Sequence, residues 1–317
     1  MKSTVIKIFW GCFAAIAVLL FGLGVFLPAQ ARDLPLVGNV FSYLQDSLDI
    51  MGMYSAYAYQ TGVIATSNDI DVTVSEVYCD GENLYVAYIV KSEKFSEMLC
   101  SGKYSRDQLI YSSKSYILYD SVKKELNETI GVAGLEGRFE DERTFAGAET
   151  YFFNDEAFPS DFKLNITLGS IGLIGSEGEF TVKGEWHFCV DVQSNLNDVA
   201  TYEIYKENNK HTIDTVIISP IMVTVHTSYP DKYREGVNYR VAAYSDLFPK
   251  EDITKMGVYE NKKGVTKIPR YRIGDALDIY VLDYATLSDR ERIDERINVE
   301  NHAIVSAHVD LQKMKGE

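Results

Sequence analysis

Residues 70–90 read IDVTVSEVYCDGENLYVAYIV. Ile70, Val72 and Val74 alternate with polar neighbours, the period-2 pattern of a strand with one face in a core. The pattern then slips one residue to Val77, as a β-bulge requires. Asp80-Gly81-Glu82-Asn83 supplies the turn. Leu84 to Val90 is apolar on both faces, so the second strand of this hairpin belongs in the middle of a sandwich.

The same reading extends toward the C-terminus. Leu109–Tyr111, Tyr116–Tyr119 and Thr150–Phe153 are short strand candidates, separated by irregular charged residues 91–107 and an acidic loop over 121–143. Phe162, Leu164, Ile166 and Leu168 alternate cleanly, and after a Gly-rich connection at 169–178 so do Trp186, Phe188, Val190 and Val192. Cys189 has the opposite parity and faces away from the Trp186 core. Residues 193–200 shift to turn formers and mark a domain boundary, giving domains 32–195 and 196–317 behind an N-terminal segment 1–31. The second domain has strand candidates at 201–205, 212–218, 221–227, 238–243, 277–284 and 303–311, the spacing of a second β-sandwich, Ig-like in its layering. In the last of them Ala303, Val305, Ala307, Val309 and Leu311 make one face.

Toward the N-terminus, residues 34–52 carry Val37, Val40, Phe41, Leu44, Leu48 and Met51 at helical spacing, with Pro35 suited to a first turn. They predict a short amphipathic helix that packs on its own domain. Before it, Ile8 to Leu27 holds twenty residues without a charge, about 30 Å of helix. Twelve of the twenty are Leu, Ile, Phe or Val, worth about 4 to 7 kcal/mol of insertion. Lys2 and Lys7 precede the run, so the N-terminus is expected in the cytoplasm and the remainder outside. A cleaved signal peptide ending at Ala29-Gln30-Ala31 is the rival reading, against which the apolar core is long. Both export the body, and a single-pass anchor is the expectation.

The chain of 317 residues has a net charge of −15, which excludes nucleic-acid binding through a basic face. It also disfavours anionic lipids and wall polymers unless divalent cations intervene. With Cys12 in the apolar run, Cys79, Cys100 and Cys189 remain for the body, permitting at most one bridge such as Cys79–Cys100. Stability must come from burial.

Together these segments resemble the Gram-positive family "domain of unknown function forty-one seventy-nine". The resemblance rests on the span ending Leu27-Pro28-Ala29, on Pro35 to Phe41, on Ile70–Val90 with its Asp80-Gly81 turn, on Phe158-Pro159-Ser160-Asp161 leading into Phe162–Leu168, and on Gly184 to Phe188. It covers residues 5 to 195, and Ile213–Val225 around Ser219-Pro220 resembles the companion exported domain. The family implies a membrane-anchored exported module of anti-sigma-factor-like proteins that senses or binds something, without established catalysis. Fuller members carry a cytoplasmic sigma-binding domain. Only Met1 to Lys7 precede the span here, so direct sigma-factor binding is doubtful, and any signal is expected to pass through a membrane or extracellular protein partner.

Ser121-Val-Lys-Lys124 has the Ser-x-x-Lys spacing, without the companion Ser-Asp-Asn and Lys-Thr-Gly elements. His187, His211, His226, His302 and His308 are the five histidines, and His302, His308 and Asp310 share strand parity, which reads as a solvated face more readily than a zinc site. Asn68-Asp69-Ile70-Asp71 lacks EF-hand spacing and reads as the polar start of a strand. Most of the twenty-two tyrosines fall at strand spacing and belong in cores. No catalytic, cofactor-binding or metal residue is therefore assigned and no cofactor is expected. A non-catalytic sensing or protein-interaction module is the expectation, with a cell-surface glycan-binding or adhesive module as the alternative.

Overall fold

The computed structural model describes residues 38–48, 56–128, 135–153, 156–176, 178–229, 239–245, 257–260, 264–270, 273–283 and 302–311. These are mainly β, in antiparallel sheets. The first body holds β1 (Tyr59–Ser67), β2 (Ile70–Cys79), β3 (Leu84–Lys91), β4 (Gln108–Tyr119), β5 (Val122–Glu125), β6 (Asn127–Glu128), β7 (Leu135–Phe139), β8 (Thr144–Phe152), β9 (Asp161–Gly175) and β10 (Gly178–Gln193). They form one ten-stranded sheet of order β1-β2-β3-β8-β7-β4-β9-β10, with β5 beside β4 and β6 beside β8. Helices α1 (Val40–Leu48) and α2 (Glu93–Cys100) accompany it.

The β2–β3 hairpin follows its sequence closely. The register shifts between Val74 and Glu76, and the turn occupies residues 80–83. Leu84, Val86, Tyr88 and Val90 join the main core, while Tyr85, Ala87 and Ile89 join a second cluster on the opposite face. That opposite face is covered by Val40, Phe41 and Leu44 of α1 and by Ile221 from further along the chain. The helix thus packs on its own body, as its stripe predicts; Val37 and Met51 of that stripe, like the expected membrane span Ile8–Leu27, lie outside the described residues. Among the described residues no helix is long and apolar enough to cross a membrane.

The first body departs from two separate facing sheets. Its single sheet curls until β1 and β10 meet, and side chains close the seam. Tyr59 OH donates to Asp191 O (2.8 Å), Asn68 Nδ2 to Lys183 O (2.6 Å) and the buried Trp186 Nε1 to Ile70 O (2.9 Å). Bulges at Gln60/Val63, Ser112/Ser113 and Lys183/Trp186 supply the extra twist that bends the strands around one core.

Several local expectations need correction. Leu109–Tyr111 and Tyr116–Tyr119 are one strand, β4; its polar middle, Ser112 to Ser115, interrupts the apolar pattern across the bulge. The irregular stretch 91–107 contains α2, whose N-cap Ser92 accepts from Lys94 N and whose Phe95 and Leu99 are buried one turn apart. The acidic loop 121–143 contains the short strands β5, β6 and β7, of which β5 is largely exposed. The Gly-rich connection is strand through Gly175 and strand again from Gly178. A Cβ on Gly172 would lie 2.1 Å from Phe180 O, so glycine permits the close strand approach there.

The second body is a two-layer sandwich. One sheet is β11 (Ala200–Asn208), β12 (His211–Ile218), β13 (Met222–Ser228) and β16 (Val265–Pro269); the other runs β15 (Gly257–Glu260), β14 (Tyr239–Ser245), β17 (Ala276–Asp283) and β18 (Ala303–Asp310). Ile213, Val216, Val223, Val225 and Ile268 of the first sheet meet Val241, Leu277, Ile279, Val281, Val305 and Val309 of the second. Strands β15 and β16 lack a clear alternating pattern in the sequence and were not expected. On β18, Val305, Ala307, Val309 and Leu311 share the core as predicted. Ala303 instead packs with Ala242, Tyr280 and Leu282 on the other face, because the register shifts between Val281 and Leu282.

Cys79 is buried, Cys100 and Cys189 are exposed, and all three are free, so the Cys79–Cys100 bridge is not formed. Cys189 faces solvent while Trp186, Phe188 and Val190 are buried, as parity predicts.

Candidate functional site

Buried charge gathers where the turn Asp80-Gly81-Glu82-Asn83 of the first body meets the outer face of the β13–β16 sheet edge. Two apolar strands flank the turn, and Asp80 organises it. Its Oδ1 accepts from Asn83 N (2.6 Å) and Glu82 N (3.0 Å), and its own N–H donates to Asn83 O (3.0 Å). This local self-pairing is the usual reason Asp opens a turn. Gly81 has φ +87°, and a Cβ there would sit 2.7 Å from Leu196 Cδ2 in the connection between the bodies. Phe158 N donates to Gly81 O (2.6 Å), clamping the turn from a third side.

The second body contributes from alternate positions. In β16, Thr266 and Ile268 point inward, which places Lys267 on the outer face. Its partner across the ladder is Thr224, so His226 lies on that face too. Lys267 Nζ donates to Asn83 Oδ1 and lies 4.0 Å from the centre of the Phe152 ring. His226 Nε2 is 3.4 Å from Glu82 Oε2, and Ser219 hydrogen-bonds the Asp80 carboxylate. Asp80 is 1% and Asn83 0% exposed. Burial raises the Asp80 pKa against the hydrogen bonds from Ser219, Asn83 and Glu82. Burial also lowers Lys267 to about 8, opposed by the nearby Asp80 and Glu82 carboxylates. Burial thus pushes both groups in the direction of their neutral forms.

A second polar device seats α1. The bulge in β2 turns Ser75 and Glu76 toward the start of the helix. Ser75 Oγ accepts from Gly38 N (2.9 Å) and Glu76 Oε2 from Phe41 N (3.0 Å), so a buried carboxylate satisfies first-turn donors that have no partner within the helix. Burial raises the Glu76 pKa, while the hydrogen bonds from Phe41 and Val40 oppose the rise.

The residues weighed in the sequence are scattered. Ser121 occupies a tight turn with Asp120 (φ 65° and 46°), and Lys123 and Lys124 pair with Glu125 and Glu156 on an exposed hairpin. Asn68 and Asp69 (φ 49° and 58°) form the β1–β2 turn. His308 Nδ1 is 2.6 Å from Asp278 on the exposed face of β18. His187 meets Thr167 and Glu185 on exposed β10. His211 contacts Tyr239 OH (3.1 Å) beside the stacked Tyr229 and Tyr239 rings, 4.0 Å apart. Tyr78, Tyr85, Tyr88 and Tyr151 are core, as strand spacing predicts. Among the described residues no group of three His, Cys, Asp or Glu gathers as metal ligands. Sequence reading missed Lys267 and the second role of Asn83. The available signal was a turn of four polar residues set between strands buried on both faces.

No curated protein matches this chain. The crystal structure of the conserved domain protein from Bacillus anthracis is similar at 15% identity, covering 87% of this chain and 100% of that one with a TM-score of 0.49. The resemblance read over residues 5 to 195 is matched over a shorter stretch, which ends just past β3. Residues 2–92 match the family model described as Domain of unknown function (DUF4179).

Proposed function

We propose that this chain is a membrane-anchored, extracytoplasmic sensing or protein-interaction module, non-catalytic and related to anti-sigma-type regulators. The apolar run Ile8–Leu27 is its single-pass anchor, and 32–195 and 196–317 are its two exported domains. One observation carries the reading. Helix α1, which follows the apolar run, is wedged against Tyr78, Tyr85 and Ile89 of the first body and against Ile221 of the second. Its first turn is tied to the buried Glu76. A force or binding event on either body therefore has a packed route to the segment nearest the membrane. The acidic surface, with a net charge of −15, suits a protein partner rather than nucleic acid.

Protease added to intact cells tests the topology: the C-terminal body should be cleaved without lysis, and protection until lysis overturns the reading. Proximity labelling from the C-terminus should then repeatedly mark one membrane or extracellular protein. The adhesive alternative draws on the half-buried aromatic cluster of His211, Tyr229 and Tyr239. Binding of the full chain to purified wall polymers would favour it.

A further inference from the structure

Lys267, Asn83 and Asp80 do more than balance charge. Among the described residues the Lys267 amine touches the Asn83 carboxamide rather than either nearby carboxylate. An amine held against a buried carboxamide needs three conditions to react. It must be unprotonated, the carbonyl must be polarised, and the departing nitrogen must find a proton. The amine and the proton donor are both in place, and Lys267 Nζ itself donates to the carbonyl oxygen.

We propose that Lys267 and Asn83 join through an intramolecular isopeptide bond, with Asp80 relaying the proton, so that the two bodies are covalently locked across their joint. Burial favours the neutral amine, since a group near pKa 8 is unprotonated in about a tenth of molecules at neutral pH and about half in mildly alkaline solution. Asn83 is 0% exposed, which excludes the water that would otherwise compete. The Asp80 carboxyl oxygens lie 3.4 and 3.5 Å from Asn83 Nδ2, on the leaving nitrogen, and burial raises the Asp80 pKa in the direction that favours a proton there. The Phe152 ring covers the amine from one side.

The step balances without oxidant or cofactor. Lys267 Nζ swings from Oδ1 to the adjacent Cγ and attacks it, forming the Nζ–Cγ bond. Asp80 gives its proton to Nδ2 and takes one from Nζ. The Cγ–Nδ2 bond breaks and one ammonia leaves, so the acid ends as it began. The reaction occurs once per chain. It ties together positions 184 residues apart, so that neither body can swing away from the turn at 80–83.

Intact mass of the purified full-length chain tests this, compared with the Lys267→Arg chain after correction for the substitution. The natural chain should be lighter by one ammonia, and its protease digest should contain a branched peptide joining Lys267 to Asn83. Asn83→Ala and Asp80→Asn should lose the branched peptide. A natural chain at full mass overturns the proposal. So does a lost ammonia without a branched peptide, which marks a cyclised asparagine instead. Branching that persists in Asp80→Asn overturns the role of Asp80. Mass is read on the unfolded polypeptide and does not depend on topology or partner, so its outcome is separate from the sensing reading.

Discussion

In the first body, Trp186 Nε1 crosses from β10 to Ile70 O, and the two edges of one curled sheet are joined by side chains. In the second body, two four-stranded sheets simply face each other, and Val216 meets Ile279 with no strand shared between layers. Both solve the same problem, which is burying one apolar face of every strand. The curled sheet concentrates its closure in a few large side chains, so single losses there should be costly. The sandwich spreads closure over many small aliphatic contacts. It also leaves its outer β13–β16 face free to carry polar residues, and Lys267 stands there.

The largest expected effect tests that concentration. Trp186→Ala should cost about 3–5 kcal/mol, because it opens a cavity and orphans the Ile70 carbonyl together. Urea unfolding followed by far-UV circular dichroism reads it, and a cost near 1 kcal/mol would remove the seam from the comparison. Leu277→Ala in the sandwich should cost about 2–4 kcal/mol, with the loss confined to the second body when hydrogen exchange is followed strand by strand. Equal deprotection of β2 and β3 would show that the bodies unfold as one.

Gly81→Ala sharpens the role of the turn. Its φ of +87° and the 2.7 Å approach to Leu196 predict a loss of about 1–2 kcal/mol, with faster exchange at Asn83 N than in β17. A smaller effect comes from pH. In Asn83→Ala, which keeps Lys267 a free amine, the folded state releases its proton near pH 8 and the unfolded state near 10.5. Unfolding then takes up a proton, so stability should rise between pH 8 and 9. Above that, Cys79, pushed up to about 12 by burial, acts in the opposite sense. Adding Lys267→Met should abolish the rise; an unchanged slope would assign it elsewhere. The smallest effect is expected at Arg143, paired with Glu93 at 3.0 Å on the exposed rim. Arg143→Ala should shift the urea midpoint by less than about 0.5 kcal/mol equivalent.

The legible parts of the chain share one property. Ile70–Val90, Phe162–Val192 and Val305–Leu311 alternate because each strand has one unbroken apolar face, and period two survives in the sequence. Less legible strands include β5 and β6, which are short and largely polar, and β4, whose Ser112–Ser115 segment breaks its pattern at a bulge. Helix α2 does carry a local signal, a Ser92 cap followed by Phe95 and Leu99 one turn apart. The site itself was half legible. Asp80-Gly81 announces a turn, but no local pattern says that Lys267, 184 positions beyond Asn83, will meet it.

By itself, the sequence determined the β class, the hairpin at 70–90 with its bulge and turn, the inward face of α1 and the outward face of Cys189. Each depends only on residues a few positions apart. Only the tertiary structure decided that one sheet would curl shut on Trp186, that Ile221 would share a seat with α1, and that a half-buried Lys267 would come to rest against Asn83 beside Asp80. Those outcomes depend on where distant strands come to rest, and burial, which sets the chemistry of an amine or an acid, exists only once they have.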